Sequence, residues 1–170
     1  MKIRIFAIGK VKEQFLKDGI NEYLKRISKY CSIEIVELKD EAVKDNPSAN
    51  EVEKVKEVEC DRILKLLKPN DYLVNLDLCN NQLKSEEFAE FLDKKMVEAN
   101  SCINFAIGGS YGLSDSIKKR ANYSLCLSKM TFLHQMTRLI LLEQIYRGFK
   151  ILNNEVYHKW NLKNLINILK

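Results

Sequence analysis

An α/β fold, with a mostly parallel sheet and helices on both faces, is the fold class that this sequence predicts. Short apolar runs alternate along the chain with longer segments whose apolar residues have helical spacing, and this alternation is typical of βαβ units. No linker rich in Gly, Pro or Ser divides the 170 residues, and no internal repeat is visible. We therefore expect a single domain over residues 1–170, which is long enough to bury a substantial core.

The first half of the chain, residues 1–71, is predicted to contain two strands and two helices. Ser48 and Glu51 have the spacing of a capping box, which marks the start of the second helix. The polar segment 39–47 before it contains Pro47 and is expected to be a loop. The predicted elements are a strand over 3–8, a helix over 12–30, a strand over 33–38 and a helix over 48–68.

The second half continues the same alternation. Ser85 and Ser114 are the predicted N-caps of its first two helices. The last helix is apolar around most of its circumference, so it should be buried on more than one side, which favours a homodimer. The predicted elements are strands over 72–78, 102–107 and 123–127, and helices over 85–99, 114–121 and 133–149.

Composition excludes several classes of protein. No apolar run approaches the roughly 20 residues that span a bilayer, and the N-terminal run is too short for a signal peptide, so we expect a cytoplasmic protein with no membrane partner. The five cysteines are widely spaced without a Cys-x-x-Cys, so we expect core thiols, with neither a disulfide framework nor a metal site.

Positive charge is concentrated at both ends of the sequence. Residues 1–30 carry eight Lys and Arg against three acids, and residues 101–170 carry ten against three, whereas 31–100 are acidic. A face built from the two ends would attract a polyanion, although charge alone is equally compatible with an ordinary solvated surface.

Three segments lie where an open parallel sheet binds its ligands, beyond the carboxyl ends of strands. They follow Leu76, Ile107 and Leu127. The segment 108–112 holds three of the six glycines, which would let the backbone approach a flat ligand or would form a tight turn. Residues 128–132 could surround an adenine with backbone amides. Neither a dinucleotide-binding glycine motif nor a Walker lysine loop is present.

Both histidines fall in the last third of the chain. His134 begins the predicted apolar helix, where capping or packing is the commoner role. His158 lies in the segment 157–160, whose aromatic rings and cations suit nucleic acid, unless this segment simply docks on the domain. Glu143 and Arg147 are four residues apart, which favours a structural ion pair.

Taken together, six segments resemble the RlmH-type methyltransferases of the SPOUT class in order and spacing. They are 76–77, 107–112, 127–132, 134–135, 143–147 and 157–159. The resemblance implies a C-terminal trefoil knot within 72–160, a rare exception to unknotted chains, with S-adenosylmethionine bound in it. Residues 161–170 form an extra C-terminal segment by this comparison. The cofactor contacts that the resemblance implies are Leu76, Gly108, Leu127, Ser128, Lys129, Met130, Thr131 and Phe132.

The resemblance also implies a homodimer that acts on N3 of a pseudouridine in a hairpin loop of 23S ribosomal RNA, within the assembled ribosome. The acceptor nitrogen must lose a proton, and His158 is the candidate acceptor because an unperturbed imidazole titrates near ~6.5. Arg147 and Lys159 are candidates for stabilising the anion or holding phosphate. Alternatives are an enzyme of the same class acting on another RNA such as tRNA, a non-catalytic RNA-binding ribosome-assembly protein, and a dimeric scaffold.

Overall fold

The computed structural model describes residues 2–78, 81–98 and 102–156, and it is built around a five-stranded sheet. The strands have the order β2-β1-β4-β3-β5, and all four pairings are parallel. The carboxyl ends of the strands therefore share one edge of the sheet. The strands are β1 Lys2–Ile8, β2 Ser32–Leu38, β3 Tyr72–Leu76, β4 Cys102–Ile107 and β5 Tyr123–Leu125.

Helices cover both faces of the sheet, as the sequence predicts. Alternate strand residues point to opposite faces, so Ile5 of β1 joins one apolar core and its neighbour Phe6 joins the other. The larger core lies beneath α1, α3 and α5, and the smaller core lies beneath α2 and α4. The helices are α1 Gln14–Ile27, α2 Ala49–Leu64, α3 Ser85–Glu98, α4 Asp115–Arg120 and α5 His134–Leu152.

The predicted helix caps have three different outcomes. The capping box is confirmed, since the amide of Glu51 donates to Oγ of Ser48 at 3.3 Å and the Glu51 carboxylate accepts from the Ser48 amide at 2.8 Å. Ser114 is the residue before α4, but its hydroxyl pairs with that of Ser116 instead of capping. The prediction for Ser85 is wrong. It is the first residue of α3, and its hydroxyl donates to Gln144 at 3.0 Å, which links α3 to α5.

Two strands end earlier than predicted, at Leu76 and Leu125, because their backbones separate there. The amide of Asp77 still donates to the Leu125 carbonyl at 3.1 Å, but the next amide on the other side, that of Cys126, donates to Asn81 at 2.9 Å. The separation opens the carboxyl edge of the sheet between β3 and β5. Of the cysteines, Cys31, Cys60 and Cys126 are buried thiols, Cys102 is partly buried, and Cys79 lies outside the described residues.

The long helix α5 packs closely against two other helices. A Cβ on Gly19 of α1 would lie 3.1 Å from Cδ1 of Leu139, and a Cβ on Gly148 would lie 3.1 Å from Cδ1 of Leu92 on α3. Both glycines therefore permit close helix packing. No helix among the described residues is long and apolar enough to cross a membrane. The trefoil knot stays a prediction.

Candidate active site

A cavity of about 610 Å³ opens beyond the carboxyl ends of β3, β4 and β5. This volume is in the range of small-molecule sites. The three segments singled out in the sequence form its walls, and the first turn of α5 closes one side. The lining residues are Leu76, Asp77, Leu78, Ile107, Gly108, Gly109, Ser110, Tyr111, Gly112, Leu125, Leu127, Ser128, Met130, Thr131, Phe132, Leu133, His134 and Thr137.

The glycine segment makes a tight turn and also leaves open space. The amide of Gly112, whose φ is +83°, donates to the Gly109 carbonyl at 3.1 Å. A Cβ on Gly108 would lie 2.4 Å from the Gly112 carbonyl carbon, so the turn excludes any side chain there. A Cβ on Gly112 would meet nothing within 4 Å. The cluster therefore forms the tight turn and also lines the cavity, whereas its contact with a ligand stays a prediction.

The segment 127–132 forms another part of the cavity wall. Met130 donates its amide to Oγ of Ser128 at 3.0 Å, within the same segment. The thiol of Cys126 donates to the Ser128 carbonyl at 3.0 Å and helps fix the turn. No other amide of this segment donates a hydrogen bond to a described residue, so in the unbound protein these amides must be satisfied by water.

Seven of the eight cofactor contacts that the resemblance implies line this cavity. Lys129 is the exception: it is an exposed residue of the same segment, but it does not contribute to the wall. The seven lining residues are Leu76, Gly108, Leu127, Ser128, Met130, Thr131 and Phe132.

A buried carboxyl group, that of Glu59 on α2, supports the glycine loop from beneath. Its Oε1 accepts from the amide of Glu41 at 2.9 Å, while Oε2 has no partner among the described residues. A Cβ on Gly109 would lie 2.8 Å from Oε2, so the carboxyl group packs directly against the loop. Burial, and then the negative charge of Asp40, raises the pKa of Glu59 to about 7.

Sequence reasoning missed Glu59, although a signal was present. This acid occupies the same helical stripe as Val52, Val55 and Ile63, where an apolar residue would be expected. A charged residue on the apolar stripe of an amphipathic helix indicates a buried polar role.

His134 is the first residue of α5 and lies between the cavity and Gly9. A Cβ on Gly9 would lie 3.7 Å from its Nε2 and 3.8 Å from Oδ2 of Asp40. Burial lowers the pKa of His134 below its ordinary 6.5, the charges of Arg138 and Lys12 lower this pKa further, and Asp40 opposes them. The imidazole is therefore mostly neutral at neutral pH.

Arg138, one turn further along α5, is wholly buried and holds the end of β1. Its Nη2 donates to the carbonyls of Ile8 and Gly9 at 2.7 and 2.9 Å, and its Nη1 pairs with Glu37 at 2.7 Å. The sequence predicts that Arg138 lies on the helix, but it does not predict that Arg138 holds the end of β1. The reason is that its partners are about 100 or more residues away along the chain.

Of the three predicted catalytic residues, the structure describes only Arg147. Arg147 forms the predicted ion pair with Glu143, at 2.6 Å. It lies ten residues beyond Thr137 on α5, which places it about 15 Å further along the helix axis than the cavity wall. His158 and Lys159 lie outside the described residues. Their roles stay predictions.

Comparison with known proteins gives one family and a consistent set of relatives. A family model described as "Predicted SPOUT methyltransferase" matches residues 1–158. The Ribosomal RNA large subunit methyltransferase H of Clostridium acetobutylicum is 50% identical over 159 residues, which is 94% of this chain and 100% of that protein. The proteins of the same name from Clostridium beijerinckii and Clostridium botulinum are 52% and 51% identical with the same coverage.

Proposed function

This chain belongs to the SPOUT methyltransferase family, and from that premise we propose that it transfers the methyl group of S-adenosylmethionine to a nucleotide of large-subunit ribosomal RNA. The name shared by relatives about half identical over their whole length supports the substrate class. The observation that carries the proposal is the cavity at the carboxyl edge of the sheet, because the implied cofactor residues converge on it.

The cavity fits S-adenosylmethionine in size and in lining. Apolar side chains of Leu76, Ile107, Leu125 and Leu127 offer flat surfaces to an adenine ring. The amides of 127–132 and the side chains of Ser128 and Thr131 offer polar contacts to the ring edge and ribose. When bound, the cofactor supplies an electrophilic methyl group on a sulfonium centre. The chain itself must orient that group and exclude water from it.

For the substrate, we place the reaction at N3 of a pseudouridine in a hairpin loop of 23S RNA in the assembled ribosome. Exposed cations near the cavity support an RNA partner. Lys10 and Lys12 lie in the segment that borders His134, and Lys129 lies in the segment 127–132. None of the three forms an ion pair with a described residue, so all three can contact phosphates, which contribute most of the non-specific affinity for RNA. Such a substrate would place the reaction in the cytoplasm.

We further propose a homodimer in which a second copy completes the site. Three apolar residues that line the cavity are unusually exposed to solvent. Their exposed fractions are 71% for Met130, 62% for Leu78 and 58% for Leu133. Exposed apolar surface of this kind marks association sites. Arg147 is distant from the cavity of its own chain. In a dimer, Arg147, His158 or Lys159 of one copy could instead reach the cavity of the other copy.

Substrate choice is tested by offering labelled S-adenosylmethionine with whole ribosomes, separated subunits and tRNA. We expect label in 23S RNA from whole ribosomes. The matched control is Gly108→Ala, whose Cβ would collide with Gly112, and which should abolish incorporation.

Two results would contradict the proposal. Label confined to tRNA would favour an enzyme of the same class with another substrate. Failure to bind cofactor at millimolar concentration in calorimetry, with RNA binding retained, would favour a non-catalytic ribosome-assembly protein.

A further inference from the structure

Three titratable side chains line the cavity, namely Asp77, Tyr111 and His134. Asp77 is already engaged, since it pairs with Lys118 at 2.8 Å and accepts from the Leu78 amide at 2.9 Å. Tyr111 carries a phenol hydroxyl, which is a poor proton acceptor. The side chain of His134 forms no hydrogen bond with the described residues, so its ring nitrogens are free for chemistry at the cavity.

The imidazole of His134 faces Asp40 across a bare glycine. Nε2 of His134 and Oδ2 of Asp40 lie 3.7 and 3.8 Å from the position that a Cβ on Gly9 would occupy, so both side chains border Gly9, and the negative charge of Asp40 raises the pKa of His134. Gly9 has a φ of +81° and no side chain to separate them. No hydrogen bond joins the two side chains among the described residues, so Asp40 acts on His134 through its charge, which stabilises an imidazolium as it forms.

The charged groups that face His134 come from three directions. Asp40 follows β2, Lys12 precedes α1, and Arg138 lies one turn along α5. Lys12 and Arg138 disfavour a permanent positive charge on the ring, whereas Asp40 favours a transient one. The ring is thus kept neutral before the reaction and is able to take up one proton during it.

We propose that His134 accepts the proton that the RNA nitrogen loses during methyl transfer, with Asp40 as its positioning residue. The nitrogen forms a bond to the methyl carbon as the carbon–sulfur bond breaks, and the sulfur keeps that bonding pair. The N–H electrons remain on the nitrogen. The proton goes to a ring nitrogen of His134, whose side chain lines the cavity. This assignment rests on the proposed function and differs from the candidate His158.

The ionisation of His134 can be measured without any substrate, because the chain has only two histidines. In a His158→Gln background, one imidazole resonance remains for NMR titration. We expect its pKa below 6.5, lower still with Asp40→Asn and higher with Lys12→Gln, since Asp40 raises and Lys12 lowers this pKa. Lys17→Gln, which removes an exposed charge on α1, is the matched control and should leave the pKa unchanged.

The kinetic test uses the full chain and its RNA substrate. His134→Gln should lower turnover by about 100-fold or more, as expected for loss of a general base, while calorimetric affinity for S-adenosylmethionine stays within about twofold. The acid limb of the wild-type rate profile should move to lower pH with Asp40→Asn and to higher pH with Lys12→Gln, following the NMR values. A purely structural role would not produce these opposite shifts.

Full turnover by His134→Gln would overturn the assignment alone, as would an acid limb that stays fixed while the NMR pKa moves. A wild-type chain that methylates no RNA would overturn the proposed function and this assignment together. The two failures are therefore distinguishable by the activity of the wild-type chain.

Discussion

The buried carboxyl group of Glu59 should make the folding stability of this protein depend on pH. Glu59 is only 3% exposed, and its Oε2 has no hydrogen-bond partner among the described residues. In the unfolded chain the carboxyl group has its ordinary pKa of 4.5, whereas in the folded chain the pKa is raised to about 7. The folded state therefore binds the proton more tightly, and it is favoured where Glu59 is protonated.

The sign and the size of the pH dependence follow from this difference between the folded and unfolded pKa of Glu59. The stabilisation is fully present below the unfolded pKa of 4.5 and is lost as pH rises to about 7 and beyond. Since one pKa unit corresponds to about 1.4 kcal/mol, the whole effect is about 3 kcal/mol. Most of it, about 2–3 kcal/mol, should disappear between pH 5 and pH 8.

Glu59→Gln tests the predicted pH dependence of stability, because glutamine has nearly the same shape as glutamate and cannot ionise. Its Oε1 can still accept from the amide of Glu41. Urea unfolding of both proteins at pH 5 and pH 8, at one protein concentration, gives the free energies of unfolding. Between these pH values, the wild type should lose about 2–3 kcal/mol relative to the variant. Contributions from His134 are common to both proteins and cancel.

An exposed acid of the same helix provides the control. Glu53→Gln removes a carboxylate that is 58% exposed and pairs with Lys56 at 2.7 Å, so its pH dependence should follow the wild type. Parallel stability curves for the wild type and Glu59→Gln would refute the reasoning, because they would show that Glu59 ionises alike in the folded and unfolded chains.

Three further predictions concern the cavity, the end of β1 and the dimer. Gly108→Ala should abolish cofactor binding in calorimetry with little change in far-UV circular dichroism, because its Cβ would lie 2.4 Å from Gly112; retained affinity would contradict this. Arg138→Met should lower the free energy of unfolding by about 2–5 kcal/mol in urea, because two buried carbonyls lose their donors; an unchanged midpoint would contradict this. Leu133→Glu should convert dimer to monomer in sedimentation, whereas Val97→Glu, also at an exposed site, should not; monomeric wild type would contradict the dimer.

The arrangement of helices and strands was accessible from the sequence because each element carries its own periodicity. The apolar runs of β1 and β4 and the helical spacing of α5 depend on neighbours in the sequence, so element types were predicted with boundaries a few residues off. The cavity was accessible for a related reason. Parallel strands end at one edge, so segments after Leu76, Ile107 and Leu127 had to meet there.

The parts that the sequence did not predict depend on partners far along the chain. Glu59 matters because Gly109 packs on it, and Arg138 matters because β1 ends beside it. Ser85 has the residue type of a cap, yet its hydroxyl bonds to Gln144, 59 residues away. Local pattern carries no information about such contacts, since they exist only once the helices have packed.

The most direct test of the central claim is mass spectrometry of 23S RNA from whole ribosomes incubated with this protein and methyl-deuterated S-adenosylmethionine. The proposed function predicts one nucleoside that carries the heavy methyl group on the base of a pseudouridine, at N3, and predicts its absence with Gly108→Ala. Heavy methyl groups found only in tRNA, only on ribose oxygens, or in no RNA at all would contradict it.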